Sequence, residues 1–146
     1  MRKAVRAIIV ENGKILVMHR NKYGSQYYTL VGGRINDGET PEQALVREVR
    51  EETGMTVVAA TLLYLEDHPE PYNEQYIYYC NVAPHDDVAI QEDSEEGNMN
   101  RYDMNTHRPL WVGPKAFAAL QFRTPQLHKA LIHAFKKGFP KEVTKL

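Results

Sequence analysis

Apolar and β-branched residues gather in short runs along this chain, divided by Gly, Pro, Asn and acidic residues, and each run has the length of one strand or one helix. Residues 4–10 and 14–19 are two such runs joined by Glu11-Asn12-Gly13, and Asn-Gly between them predicts an antiparallel hairpin. Residues 26–31 (QYYTLV) predict a third strand leading directly into Gly32-Gly33. Residues 41–53 then take up helical spacing. Residues 57–65 (VVAATLLYL) and 75–82 (QYIYYCNV) return to strand composition, separated by the polar turn EDHPEPYNE. Residues 114–120 predict a helical turn or two. Residues 125–137 predict a terminal amphipathic helix with Leu127, Leu131, Ala134 and Phe135 inward and Gly138 at its close. Strands, a helix, strands and a helix in that order predict one domain over residues 1–146, an α/β sandwich around a mixed β-sheet.

The helix at 41–53 is sharply delimited. Thr40 suits the N-cap, Pro41 the first helical position, Gln43 completes a capping box, and Gly54 suits a left-handed close. At about 100° per residue, Glu51 falls about 60° to one side of Glu48 and Glu52 about 40° to the other. The three carboxylates thus share one face. Leu45, Val46 and Val49 form an apolar stripe beside it, and Gln43, Arg47 and Arg50 take the rest. Each pair of neighbouring carboxylates repels by about 2–3 kcal/mol at an effective dielectric near 20. A hard divalent cation, Mg²⁺ or Mn²⁺, would turn that repulsion into a site. A solvated face with Arg47 and Arg50 as partners is the plainer reading of the helix taken alone.

The spacing around the helix changes that balance. From Gly33 the chain reads Gly, five residues, Glu39, seven residues, then Arg47-Glu48-Val49-Arg50-Glu51-Glu52-Thr53-Gly54-Met55. This resembles the signature of the Nudix hydrolases, G-x5-E-x7-R-E-U-x-E-E-x-G-U with U a bulky aliphatic residue, at every fixed letter. The family's lead-in commonly reads Trp-x-Leu-Pro-Gly-Gly; here Tyr28 stands for the tryptophan and Val31 for the proline, while Gly32 and Gly33 are kept. The resemblance implies a Nudix-like α/β/α sandwich and divalent-metal-dependent hydrolysis of a pyrophosphate bond in a nucleoside diphosphate linked to another moiety. It implies Mg²⁺ or Mn²⁺ on Glu48, Glu51 and Glu52, with the Gly32 or Gly33 backbone carbonyl as a further ligand. Arg47 is implied as the group that orients the glutamates, and Glu51, Glu52 and Arg47 as the catalytic set. Glu39 either braces the loop or reaches the cluster. The general base stays open between Glu51 and the acidic group at 92–96.

Outside this signature the candidates are sparser. Arg20, Lys22 and Tyr23 lie beyond the second predicted strand, where basic side chains would reach a phosphate. Residues 85–107 contain QEDSEEGNMNRYDMN, acidic and almost without aliphatics, a composition of binding loops, lids or disordered segments. Glu92, Asp93, Glu95 and Glu96 there are candidates to fold over the cluster and meet substrate. Tyr64, Tyr76, Tyr78 and Tyr79 belong to core and sheet surface, with one or two available to stack on a base. The six histidines show no zinc-like spacing, and the single cysteine, Cys80, reads as a buried thiol. A net charge of −1 with 25% charged residues gives no basic field for a nucleic-acid polymer or an anionic membrane. No apolar run approaches the roughly 18 residues of a membrane span, and the N-terminus lacks a signal-peptide pattern, so a cytoplasmic setting is expected. The expected partner is a small nucleotide-type molecule. Many Nudix chains dimerise, so a homodimer is among the expected states. The competing readings are a catalytically silent Nudix domain that senses a nucleotide, and RNA 5′-end pyrophosphate removal.

Overall fold

Strand β4 (Ser25–Arg34) belongs to two sheets at once. Its first half pairs antiparallel with β3 (Lys14–Lys22), Val17 opposite Leu30 and Lys22 opposite Ser25. Its second half turns to β1 (Lys3–Ile8), Ala7 opposite Val31 and Ala4 opposite Arg34. From β1 the sheet continues through β6 (Glu74–Val82), which runs parallel to β1, then antiparallel β5 (Val57–Asp67), and a short β8 (Thr144–Lys145) beside β5. The edge of β3 away from β4 carries β7 (Asn105–Val112), and β2 (Val10–Glu11) pairs with the start of β3. The computed structural model describes residues 2–88 and 105–146 of the chain, and the acidic stretch with Glu92, Asp93, Glu95 and Glu96 lies outside them.

The expected hairpin over 4–19 forms only at its tip. Asn12 and Gly13 adopt the left-handed conformations of a tight turn (φ 52° and 73°), and Val10 and Glu11 face Ile15 and Lys14. Ile9 still accepts from the Leu16 N–H at 2.9 Å, and the chain before it leaves β3. Ala4, Val5, Ala7 and Ile8 are all buried, so this segment is apolar on both faces and suits the interior of a mixed sheet. It lies between β4 and β6 for that reason.

Helices cover both faces. Against one lies α1 (Pro41–Thr53), whose Ala44, Leu45 and Val49 meet Val5, Ala7, Leu16, Met18 and Val31. Against the other lie α2 (Pro114–Ala118) and α3 (Pro125–Lys137), where Phe117, Leu127 and Leu131 meet Ile8, Ile15, Val17, Leu30 and Ile77. The result is the expected α/β/α sandwich. The inward face of α1 is rotated from the predicted one. Val46 is 44% exposed, whereas Ala44, Glu48 and Glu52 are buried with Leu45 and Val49. The carboxylates therefore stand within the packed face rather than beside it. Small residues beneath the helix make this possible.

Candidate active site

The small residues are Gly32 and Gly33. Gly32 has φ +148°, and a Cβ there would fall 2.0 Å from the Val5 carbonyl oxygen across the sheet, so only glycine fits. Its N–H donates to Glu52 Oε1 at 2.7 Å, the contact that holds the Glu52 carboxylate against the strand. A Cβ on Gly33 would lie 2.7 Å from the Glu48 carboxyl carbon. The two glycines thus form a cradle into which α1 lowers two buried carboxylates, Glu48 at 5% and Glu52 at 3% exposure.

The helix is fixed in register by its caps. Thr40 Oγ1 accepts from Gln43 N at 3.1 Å and Thr40 N donates to Gln43 Oε1 at 2.9 Å, the complete capping box. Gly54 closes it at φ 79°, its N–H on the Arg50 carbonyl. A hydrogen bond from the Tyr78 hydroxyl to Glu42 fastens the first turn to β6.

Arg47 organises the outer part of the site. Its Nε and Nη2 donate to Glu39 Oε2 and Oε1 at 2.7 and 3.0 Å, a two-toothed pair, and Nη2 also reaches the Arg34 carbonyl at 2.9 Å. Its Nη1 contacts Glu48 Oε1 at 2.9 Å and Glu51 Oε2 at 3.4 Å. Glu39 also accepts from the Asn36 N–H at 2.8 Å, so it braces the loop and buttresses the guanidinium. The Arg47 hydrogen bonds hold the Glu39 carboxyl below the usual carboxylate range, and Glu39 in turn raises Arg47. The paired glycines were the sequence signal for the cradle; the roles of the Gly32 N–H and the Arg34 carbonyl depend on how β4 meets the helix.

Among the described residues no three His, Cys, Asp or Glu side chains are gathered into a metal cluster. Arg47 and the Gly32 N–H draw the box carboxylates toward separate partners. The donor chemistry still fits a hard divalent cation. Glu48, Glu51 and Glu52 project from one side of α1, a single guanidinium contacts two of them, and the cradle keeps larger side chains out. Glu51 is the most accessible of the three, with its side chain 33% exposed.

The remaining candidates sit elsewhere. Arg20 lies within β3, not beyond it, opposite Tyr27 and His107, with Nη2 on Asn105 Oδ1 at 3.1 Å. At about 3.3 Å per residue, the Tyr27 position is about 20 Å along β4 from Gly33. His107 is buried, and burial together with Arg20 lowers it to about 3. His85 contacts Glu11 Oε1 at 2.8 Å, and His128 contacts the Phe117 carbonyl at 2.8 Å, both structural placements. Burial pushes the Cys80 thiol up to about 12, as expected of a core cysteine. Among the described residues no helix is long and apolar enough to cross a membrane.

Comparison with known proteins gives a consistent outcome. A family model described as NUDIX domain matches residues 1–135. The chain is 42% identical to the RNA pyrophosphohydrolase of Mannheimia succiniciproducens over 57 residues, 39% of this chain and 29% of that protein. It is 47% identical to the 8-oxo-dGTP diphosphatase of Proteus vulgaris over 45 residues, 31% of this chain and 40% of that protein. These matches span well under half the length of either relative. A NUDIX hydrolase from Nitrosomonas europaea superposes with a TM-score of 0.68 at 21% identity, covering 96% of this chain and 93% of that one, a likeness of fold.

Proposed function

The chain belongs to the NUDIX domain family, and on that premise we propose that it hydrolyses a pyrophosphate bond in a nucleoside diphosphate joined to a further group. The observation that carries this reading is the burial of Glu48 and Glu52 over the glycine cradle, with Glu51 beside them and Arg47 shared between Glu48 and Glu51. Burying that much like charge is costly unless cations complete the site.

When bound there, Mg²⁺ or Mn²⁺ neutralises phosphate charge and makes a water more acidic. The chain's own residues supply position. The Gly32 N–H holds one Glu52 oxygen toward β4, and Glu52 would be one of the residues to hold the ion. Arg47, itself clamped by Glu39, sets the angles of Glu48 and Glu51. Glu51, one-third exposed at the rim, accepts the proton of the attacking water. Water adds to one phosphorus, the bridging P–O bond opposite breaks, and the products are two phosphate-bearing fragments. RNA 5′-end processing uses the same chemistry, and the name of the Mannheimia relative suggests it, but a net charge of −1 offers little attraction to a polymer.

The test is a Mg²⁺-dependent hydrolysis screen over nucleotide classes, with Glu52→Gln alongside. Wild type should turn over at least one compound, and the variant should lose at least about 100-fold while keeping the wild-type melting temperature. Near-native turnover by the variant would sink the assignment. A wild type that binds nucleotides without hydrolysing any would mark a sensor.

A further inference from the structure

The chain that follows α3 is pinned at two places, and a hollow lies between them. Gly138 closes the helix at φ +93°, and the Phe139 ring then meets the Tyr79 ring edge-on, 5.2 Å between centroids. Further on, β8 pairs with β5, Leu146 N donates to the Leu65 carbonyl at 2.8 Å, and Lys145 pairs with Asp67 at 2.6 Å. The pocket enclosed by α3, β5 and this tail has a volume of about 550 Å³, the size of a small-molecule site. Tyr64, Ala130 and Leu146, which line it, belong to the core on the α2 and α3 face of the sheet. The α1 carboxylates lie on the other face.

The wall of this pocket is mostly apolar, and no Asp or Glu side chain lines it. Its polar groups are donors. Lys129 and His133 stand one turn apart on the same side of α3, both exposed at the rim. Lys129 brings a positive charge and His133 a ring N–H. Among the described residues neither forms an ion pair.

The third donor comes from the sheet. Tyr64 of β5 is only 3% exposed and lines the pocket from below. Its hydroxyl has no hydrogen-bond partner among the described residues, although buried polar side chains are nearly always paired. Burial raises the phenol above its ordinary range, so the group keeps its proton. It is a donor turned to a space that no acceptor of the chain fills.

Three donors around an apolar hollow, with a positive charge and no carboxylate, suit a molecule that has a hydrocarbon body and an anionic oxygen head. We propose that this pocket binds a medium-chain monocarboxylate. Its head accepts from the Tyr64 hydroxyl and is drawn by Lys129 and His133, and its hydrocarbon lies on Ala130, Pro140 and Leu146. A cationic head would find no partner here, and a wholly apolar ligand would leave all three donors unused. The site is separate from the glycine cradle and does not rest on the proposed hydrolysis.

The test is calorimetric binding of hexanoate, octanoate and decanoate to the full chain, with 1-octanol and octylammonium for comparison. Affinity should rise about fourfold for each added methylene, as for a CH₂ group taken out of water. Octanoate should bind about tenfold tighter than 1-octanol or octylammonium, the worth of a charge-assisted hydrogen bond. Tyr64→Phe gives up no hydrogen bond of the folded chain, so it should keep its thermal transition and weaken octanoate about fivefold. Lys129→Gln combined with His133→Gln should bring octanoate down to the level of 1-octanol and leave 1-octanol unchanged. No binding of any carboxylate, an affinity independent of chain length, or a preference for octylammonium would overturn the proposal. Undiminished octanoate binding by the double variant would overturn it too. Binding to anionic phospholipid vesicles without binding of free octanoate would assign the pocket to a lipid surface instead. If Tyr64→Phe does not fold, the chain-length series and the double variant decide it.

Discussion

Gly33 lies under the Glu48 carboxyl group with no space for one more carbon, since a Cβ would come within 2.7 Å of it. Its φ lies outside the left-handed region, so alanine is acceptable to the backbone and the obstacle is the carboxylate alone. Gly33→Ala should therefore fold and displace Glu48 from Arg47. Because a shift of about 1 Å in a positioned group costs on the order of 100-fold in rate, turnover should fall by about that factor while the melting temperature changes little. Steady-state kinetics with Mg²⁺ beside a thermal melt would check this, and an unchanged rate would show that Glu48 does not need its present place. The box letters were legible at this scale, because residue types at fixed spacing are a property of the chain. The contacts of those residues were not. That Gly32 N–H meets Glu52 and that Arg34 supplies a carbonyl to Arg47 follow from β4 passing under α1.

At the scale of elements, α1 matches its reading at both ends because its signals are local. Capping box, first-turn proline and closing glycine act within a few residues of each terminus. Its rotation about its own axis was not legible, since apolar pattern alone favoured a stripe of Leu45, Val46 and Val49. The cradle under the helix draws Glu48 and Glu52 inward, and Val46 is turned out to 44% exposure. Two substitutions separate these descriptions. Val46→Lys should change stability by less than about 0.5 kcal/mol, as for an ordinary surface position. Leu45→Ala should cost about 2–5 kcal/mol, as for a filled core site. Urea unfolding of the two variants measures both, and a large loss from Val46→Lys would contradict the rotated face. The hairpin at 4–19 carries the same lesson. Asn12-Gly13 made the turn by local conformation, but β1 was claimed by β4 and β6, which bury both its faces.

At the scale of the whole molecule, the junction of the two sheets at β4 decides what neighbours what. Through β3 it also sets β7, where His107 is buried opposite Arg20, and burial and the nearby guanidinium both lower the imidazole, to about 3. The unfolded chain takes up a proton there below about pH 6.5, and the folded chain does not until about 3. Stability contributed by the neutral ring is thus complete above pH 6.5 and falls with acidification, by up to about 1.4 kcal/mol per pH unit. Urea midpoints at pH 7, 5.5 and 4.5 should fall less steeply for His107→Asn than for wild type. Parallel slopes would show that His107 is not held neutral.

The chain by itself determined the capped helix, the glutamates and arginine upon it, the paired glycines before it and the alternation of strands and helices, because each is written in residues within a few turns of one another. The tertiary structure decided which carboxylates are buried, where β1 pairs, and that Tyr64, Ala130 and Leu146 wall one pocket. Those residues are far apart in sequence. Only the folding of α3 and β8 over β5 brings them together, and no local spacing encodes a contact between elements that meet through packing.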